Sequence, residues 1–105
     1  MRKVRLIADR WFTEASQLST FFERFRGMRG APADARYLFE TSSVHTVGMT
    51  RSILVVMIDH DLRVIRAHSL VPNRVVYERR ARFILELPGN AALPAVGAAV
   101  EIVDG

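Results

Sequence analysis

From Val4 to Ala8 the chain alternates, with Val4, Leu6 and Ala8 at one parity and Arg5 and Ile7 at the other. A period of two predicts a strand with one face on a core. Thr13 to Arg26 has another rhythm. Ala15, Leu18, Phe21, Phe22 and Phe25 follow helical spacing, and Glu23 and Arg24 fall away from that stripe. Such a stripe predicts an amphipathic helix near 14–26. The Thr13 hydroxyl is placed to cap it, Glu14 sits at the positive end of its dipole, and Gly27 is a natural stop.

Arg29 to Asp34 predicts a loop, and from Arg36 onward the pattern is β. Tyr37-Leu38-Phe39 and Val44 to Met49 predict short strands. Ile53 to Ile58 is apolar at both parities, as in a strand covered on both faces. Asp59-His60-Asp61 supplies turn chemistry, and Leu62 to Ala67 returns as the second arm of a hairpin. Val71 to Arg74 breaks the pattern before a short strand, Val75-Val76-Tyr77. Arg82 to Leu87 then places Phe83, Leu85 and Leu87 on one face and Ile84 and Glu86 on the other. Pro88-Gly89-Asn90 ends that strand. Ala91 to Val96 predicts one helical turn, limited by Pro94, and Ala99 to Val103 a last strand. The expected fold class is mainly β (α+β): a compact antiparallel sandwich or barrel of about seven short strands with one principal helix. It fills 1–105 as a single domain. A doubly wound fold would need alternating helices.

Composition narrows the chemistry. A chain of 105 residues can bury about two-thirds of its unfolded surface without a disulfide or a structural metal. Half of it is hydrophobic, which excludes a disordered chain. It has no cysteine, which excludes a disulfide framework, a thiolate zinc site and a cysteine nucleophile. The basic start meets Asp9 and Arg10 after a short apolar stretch, too soon for a secretory signal. The longest apolar run, Ile53 to Ile58, is far shorter than a membrane span. The expectation is a soluble cytoplasmic protein with no membrane partner and no cofactor.

Phosphate-binding glycine loops, metalloprotease helices and nucleophile elbows are all missing. His45 sits in a strand at the parity of Val47 and Met49. It suits either a general base or a hydrogen-bonded structural histidine. Asp59-His60-Asp61 holds ligand-type side chains, but neighbours on a tight turn point apart, so a metal site is not expected. Ser42 and Ser43 beside His45 lack a third, orienting group. Fourteen of the fifteen basic residues are arginine and the net charge is +4. Twelve of the fifteen fall in three groups: Arg2, Lys3, Arg5 and Arg10; Arg24, Arg26, Arg29 and Arg36; and Arg74, Arg79, Arg80 and Arg82. Clustered arginines hold phosphates well, but a charge of +4 is modest for nucleic acid.

Five stretches in fixed order add a resemblance. They are Arg26-Gly27-Met28, Ser43-Val44-His45-Thr46-Val47-Gly48-Met49, Val55-Val56-Met57-Ile58-Asp59, Pro72-Asn73-Arg74 and Leu85-Glu86-Leu87-Pro88-Gly89. Together they resemble the family called domain of unknown function 192, from about Leu6 to Val103. The resemblance implies a mainly β sandwich or barrel with one principal helix and no established activity. Ser52-Ile53-Leu54 departs from the family's proline-isoleucine-aspartate, so Leu54 replaces an acidic group. Gly97-Ala98 likewise stands where the family has glycine-aspartate.

The motif residues carried over are Arg26, Gly27, His45, Met49, Asp59, Pro72, Arg74 and Glu86. Gly27, Met49, Asp59 and Pro72 are expected to be structural. Arg26, His45, Arg74 and Glu86 are the candidate ligand-binding residues; no catalytic or metal residue is expected. The favoured expectation is a non-catalytic binding or accessory module for a small anionic ligand or a protein segment. The alternatives are nucleic-acid binding through the arginine groups, and a hydrolase or transferase using His45 with Glu86 or Asp59.

Overall fold

A computed structural model describes residues 2–18 and 32–105. Nine strands run in chain order: β1 Arg2–Ala8, β2 Trp11–Leu18, β3 Tyr37–Phe39, β4 Ser43–His45, β5 Ile53–Asp59, β6 Val64–Leu70, β7 Val75–Tyr77, β8 Ala81–Pro88 and β9 Glu101–Asp104. Seven form one sheet in the order β6-β5-β8-β3-β2-β1-β9, and β4 and β7 form a second, two-stranded sheet. All pairings are antiparallel except β2 with β3, which is parallel.

The large sheet curls until its edges meet. Arg63, just before β6, bridges Ala99, just before β9. Val64 N–H donates to Ala98 O at 3.0 Å, Gly97 N–H to Val64 O at 2.7 Å and Val100 N–H to Leu62 O at 2.7 Å. The Arg63 guanidinium adds a bond to Gly97 O at 3.0 Å. This seam closes the sheet at one end into a partial barrel, which shields part of both edge strands from other chains.

Strand alternation then divides the core in two. Val4, Leu6, Leu38, Leu54, Val56, Ile58, Phe83, Leu85 and Leu87 fill the concave side. The opposite parity of β5 and β8 (Ile53, Val55, Met57 and Ile84) packs under the small sheet with Val44 and Leu70. The run Ile53 to Ile58 is therefore buried throughout, as its two-parity pattern predicts.

Two expected helical segments are corrected. Residues 14–18 are not the start of a helix: Thr13, Ala15 and Leu18 lie in β2, paired along its length with β1 from Arg2↔Gln17 to Ala8↔Trp11. Asp9 and Arg10 form the hairpin turn, with Asp9 at φ 53°, a conformation aspartate tolerates better than most. Glu14, Ala15 and Gln17 favour helix locally, but cross-strand pairing and burial override that preference. Thr13 does not cap a helix; its hydroxyl is buried and accepts a bond from Arg36 at 2.7 Å. Phe21, Phe22, Phe25, Arg26 and Gly27, the rest of that expected helix, lie outside the described residues. Ala91 to Val96 makes no helical turn. The described residues contain no helix, so the observed class is mainly β, without the α+β character expected.

Candidate functional site

The small sheet and the turns around it hold most of the motif residues. β4 and β7 pair as Ser43↔Tyr77, Val44↔Val76 and His45↔Val75. Val44 and Val76 point down onto the second core. Alternation turns Ser43, His45, Val75 and Tyr77 outward, and all four are exposed.

Thr46 fastens this sheet to the Val71–Arg74 turn. It is fully buried. Its hydroxyl donates to Val71 O at 2.6 Å and accepts from Arg74 N–H at 3.0 Å. Its backbone N–H donates to Arg74 O at 2.8 Å, and its carbonyl accepts from Asn73 at 2.9 Å and Met49 at 3.1 Å. Asn73, at φ 62°, returns a side-chain carbonyl to Gly48 N–H at 3.2 Å. Sequence reasoning does not single out Thr46 as a residue with a role of its own. The available signal was its parity: it falls on the inward face with Val44, where a polar group must find partners.

The other candidates separate by layer. Met49 is half-buried against the second core. Asp59 ends β5 and accepts from Asp61 N–H at 3.0 Å and Arg63 N–H at 2.9 Å, which is turn chemistry. Pro72 lies in the turn held by Thr46. Arg74 is bonded through its backbone to Thr46 and precedes Val75, the cross-strand partner of His45. Glu86 is elsewhere: buried in β8, on the convex side, between Tyr37 of β3 and Val55 of β5. His45 faces solvent from the far side of the small sheet, so the two are on different layers. Ser42 Oγ donates to Ala81 O at 2.6 Å, which ties β4 to β8. Among the described residues no group of three or more His, Asp or Glu is arranged to hold a metal ion.

The arginines are largely engaged. Arg80 pairs with Glu78 at 3.1 Å, and this bond first, then the Arg80 backbone N–H, holds the Glu78 carboxyl down at about 2. Arg82 pairs with Glu40 at 3.3 Å and lies 4.8 Å over the Phe83 ring. Arg2 pairs with Asp104 at 3.3 Å, and Arg5 lies over Phe12. Of the late group, Arg74 and Arg79 have no ion pair among the described residues. They bracket β7, where Val75 is 70% and Tyr77 69% exposed, with Val47 and Val71 exposed nearby.

These features define a small, mainly β protein: a curled seven-stranded sheet with a two-stranded sheet packed on its convex side. No family model and no curated protein matches it. Two solved structures resemble it. One is described as a "putative transcription regulator" from Sinorhizobium meliloti 1021, at TM-score 0.67 and 20% identity over 95% of this chain and 92% of that one. The other is a protein of unknown function from Novosphingobium aromaticivorans DSM 12444, at TM-score 0.67 and 13% identity over 94% and 83% of the two chains. At these identities the likeness is one of fold. No helix among the described residues is long and apolar enough to cross a membrane.

Proposed function

We infer that the chain is a non-catalytic binding module whose outer β4–β7 face receives an anionic ligand or an acidic protein segment. One observation carries this reading: Val75 and Tyr77, 70% and 69% exposed, lie on the strand that directly follows Arg74, an exposed arginine with no ion pair among the described residues. Exposed apolar side chains next to an unpaired guanidinium suit a partner that brings both apolar surface and negative charge. The engagement of Arg80 and Arg82 by Glu78 and Glu40 makes nucleic acid the weaker reading. The layer separation of His45 and Glu86 supports no proposed reaction. Membership of the domain of unknown function 192 family is likewise a proposal, resting on the five quoted motifs.

Amide shift mapping with inorganic phosphate, succinate and a mixture of acidic peptides tests the reading. Saturable shifts are expected at Ser43–His45 and Arg74–Tyr77. Shifts confined to another surface, or none up to about 10 mM of each probe, would refute it.

A further inference from the structure

The small sheet has one open edge with a defined hydrogen-bond phase. Glu78 N–H bonds Ser42 O, and Thr46 N–H bonds Arg74 O, both at 2.8 Å. In an antiparallel pair this phase turns the backbone groups of Arg74, Val76 and Glu78 toward β4. The N–H and C=O of Val75 and Tyr77 therefore point away from β4. Among the described residues β7 pairs with β4 alone. The far edge of β4 is partly closed, since Ser43 N–H bonds Thr41 Oγ1 at 3.3 Å. Among the described residues that leaves β7 as a strand edge with two free donors and two free acceptors, carrying two exposed apolar side chains.

We propose that β7 recruits an extended segment of a partner protein as a third, antiparallel strand, bonded to the backbone of Val75 and Tyr77 and held at its ends by Arg74 and Arg79. This deepens the reading above and rests on it. Strand addition draws affinity from main-chain bonds and specificity from alternate side chains. The residues opposite Tyr77 and Val75 face solvent and should be apolar or β-branched, to make the cross-strand pairs that stabilise sheets. The residues opposite Arg79 and Arg74 should be acidic. The residue opposite Glu78 should not be, because like charges repel there. The order along the partner is acidic, polar, apolar, polar, apolar, acidic.

A second copy fits this edge poorly. Two β7 strands paired about Val76 would keep both curled sheets on the same side of the joined sheet. With strands about 4.8 Å apart, the two small sheets would be centred about 10 Å from each other. Each molecule measures 33 × 25 × 23 Å, so two bodies centred under their small sheets would overlap. A lone strand needs only its own width.

The probe is the capped hexapeptide Glu-Thr-Val-Thr-Val-Glu, titrated into the isotope-labelled protein. Saturable shifts and slowed amide exchange are expected at Val75 and Tyr77. Replacing both terminal glutamates with lysine should weaken binding about tenfold, Arg74→Glu should cancel that preference, and Arg74→Glu with Arg79→Glu should reverse it. Methylating the amide nitrogens of the two valines removes the donors facing β7 while keeping the side chains, and should abolish binding. Equal binding by the methylated peptide would overturn strand addition yet leave the anionic face intact. No β7 response up to about 5 mM would also overturn it; the phosphate and succinate titrations then judge the binding module separately. Concentration-dependent dimerisation that protects Val75 and Tyr77 without peptide would overturn it in favour of self-pairing.

Discussion

The Thr46 hydroxyl donates to the Val71 carbonyl at 2.6 Å from a fully buried side chain. The same oxygen accepts from Arg74 N–H, so one hydroxyl fixes both ends of the turn that delivers Arg74 and Val75. Thr46→Val keeps the shape and removes both bonds. It should destabilise the protein by about 1–3 kcal/mol, because buried polar groups lose their partner. Thr46→Ser should recover most of that. Urea denaturation of the three proteins measures it, and equal midpoints for valine and wild type would show that the hydroxyl does not hold the turn.

The seam between the ends of the sheet depends on Gly97. Its φ is +94°, and a Cβ there would meet nothing within 4 Å. The cost of a side chain is therefore one of backbone conformation and not of space. Gly97→Ala should cost about 1–2 kcal/mol. It should also speed exchange of the Val64 and Val100 amides, which bond across the seam. Unchanged exchange at those amides would show that the closure does not rely on this conformation.

The parts of the fold written as short apolar runs or as two-residue alternation were legible. Ile53 to Ile58, Phe83-Leu85-Leu87 and the short Val75–Tyr77 strand lie where their patterns place them. β2 was not legible, because Thr13 to Leu18 is rich in helix formers and its strand identity comes from β1 across a two-residue turn. Periodicity counted along one chain cannot register a partner strand. The curl was hidden for the same reason: the Arg63–Ala99 bridge joins positions that share no local signal. At the candidate site, the sequence singled out His45 and Arg74; His45 pairs across the small sheet with Val75, the residue after Arg74. The sequence hid the separation of Glu86, which depends on how two sheets stack. The surplus of late arginines became interpretable only when Glu78 and Glu40 accounted for Arg80 and Arg82.

The Glu78–Arg80 pair sets a pH dependence. The Glu78 carboxyl is held at about 2 against an ordinary 4.5, first by the Arg80 side-chain bond and then by the Arg80 backbone N–H. A carboxyl depressed on folding stabilises the native state fully above its unfolded value. That contribution is lost as pH falls from 4.5 through about 2. Arg80→Gln should raise the Glu78 carboxyl toward 4.5 without restoring it fully, because the backbone bond remains. A carbon-detected NMR titration of the Glu78 side chain reads this directly. A carboxyl that still titrates near 2 in the variant would assign the shift to the backbone alone.

Stability and binding should separate between two residues of similar chemistry. Leu85 is fully buried on the concave side of β8, which lies between β5 and β3, so its side chain meets the core from both neighbours. Leu85→Ala should cost about 2–5 kcal/mol, the transfer term plus a cavity that a closed sheet cannot collapse. Val75 is 70% exposed on the edge of the small sheet, and Val75→Ala should shift stability by less than about 0.5 kcal/mol. The hexapeptide should nonetheless bind the Val75→Ala protein more weakly, because a cross-strand pair is lost, while Leu85→Ala should leave its affinity unchanged under conditions where that variant is folded. Chemical denaturation and the peptide titration, run on both variants, check the two halves. A large stability loss at Val75 would mean that it packs against its own chain and is not free to receive a partner.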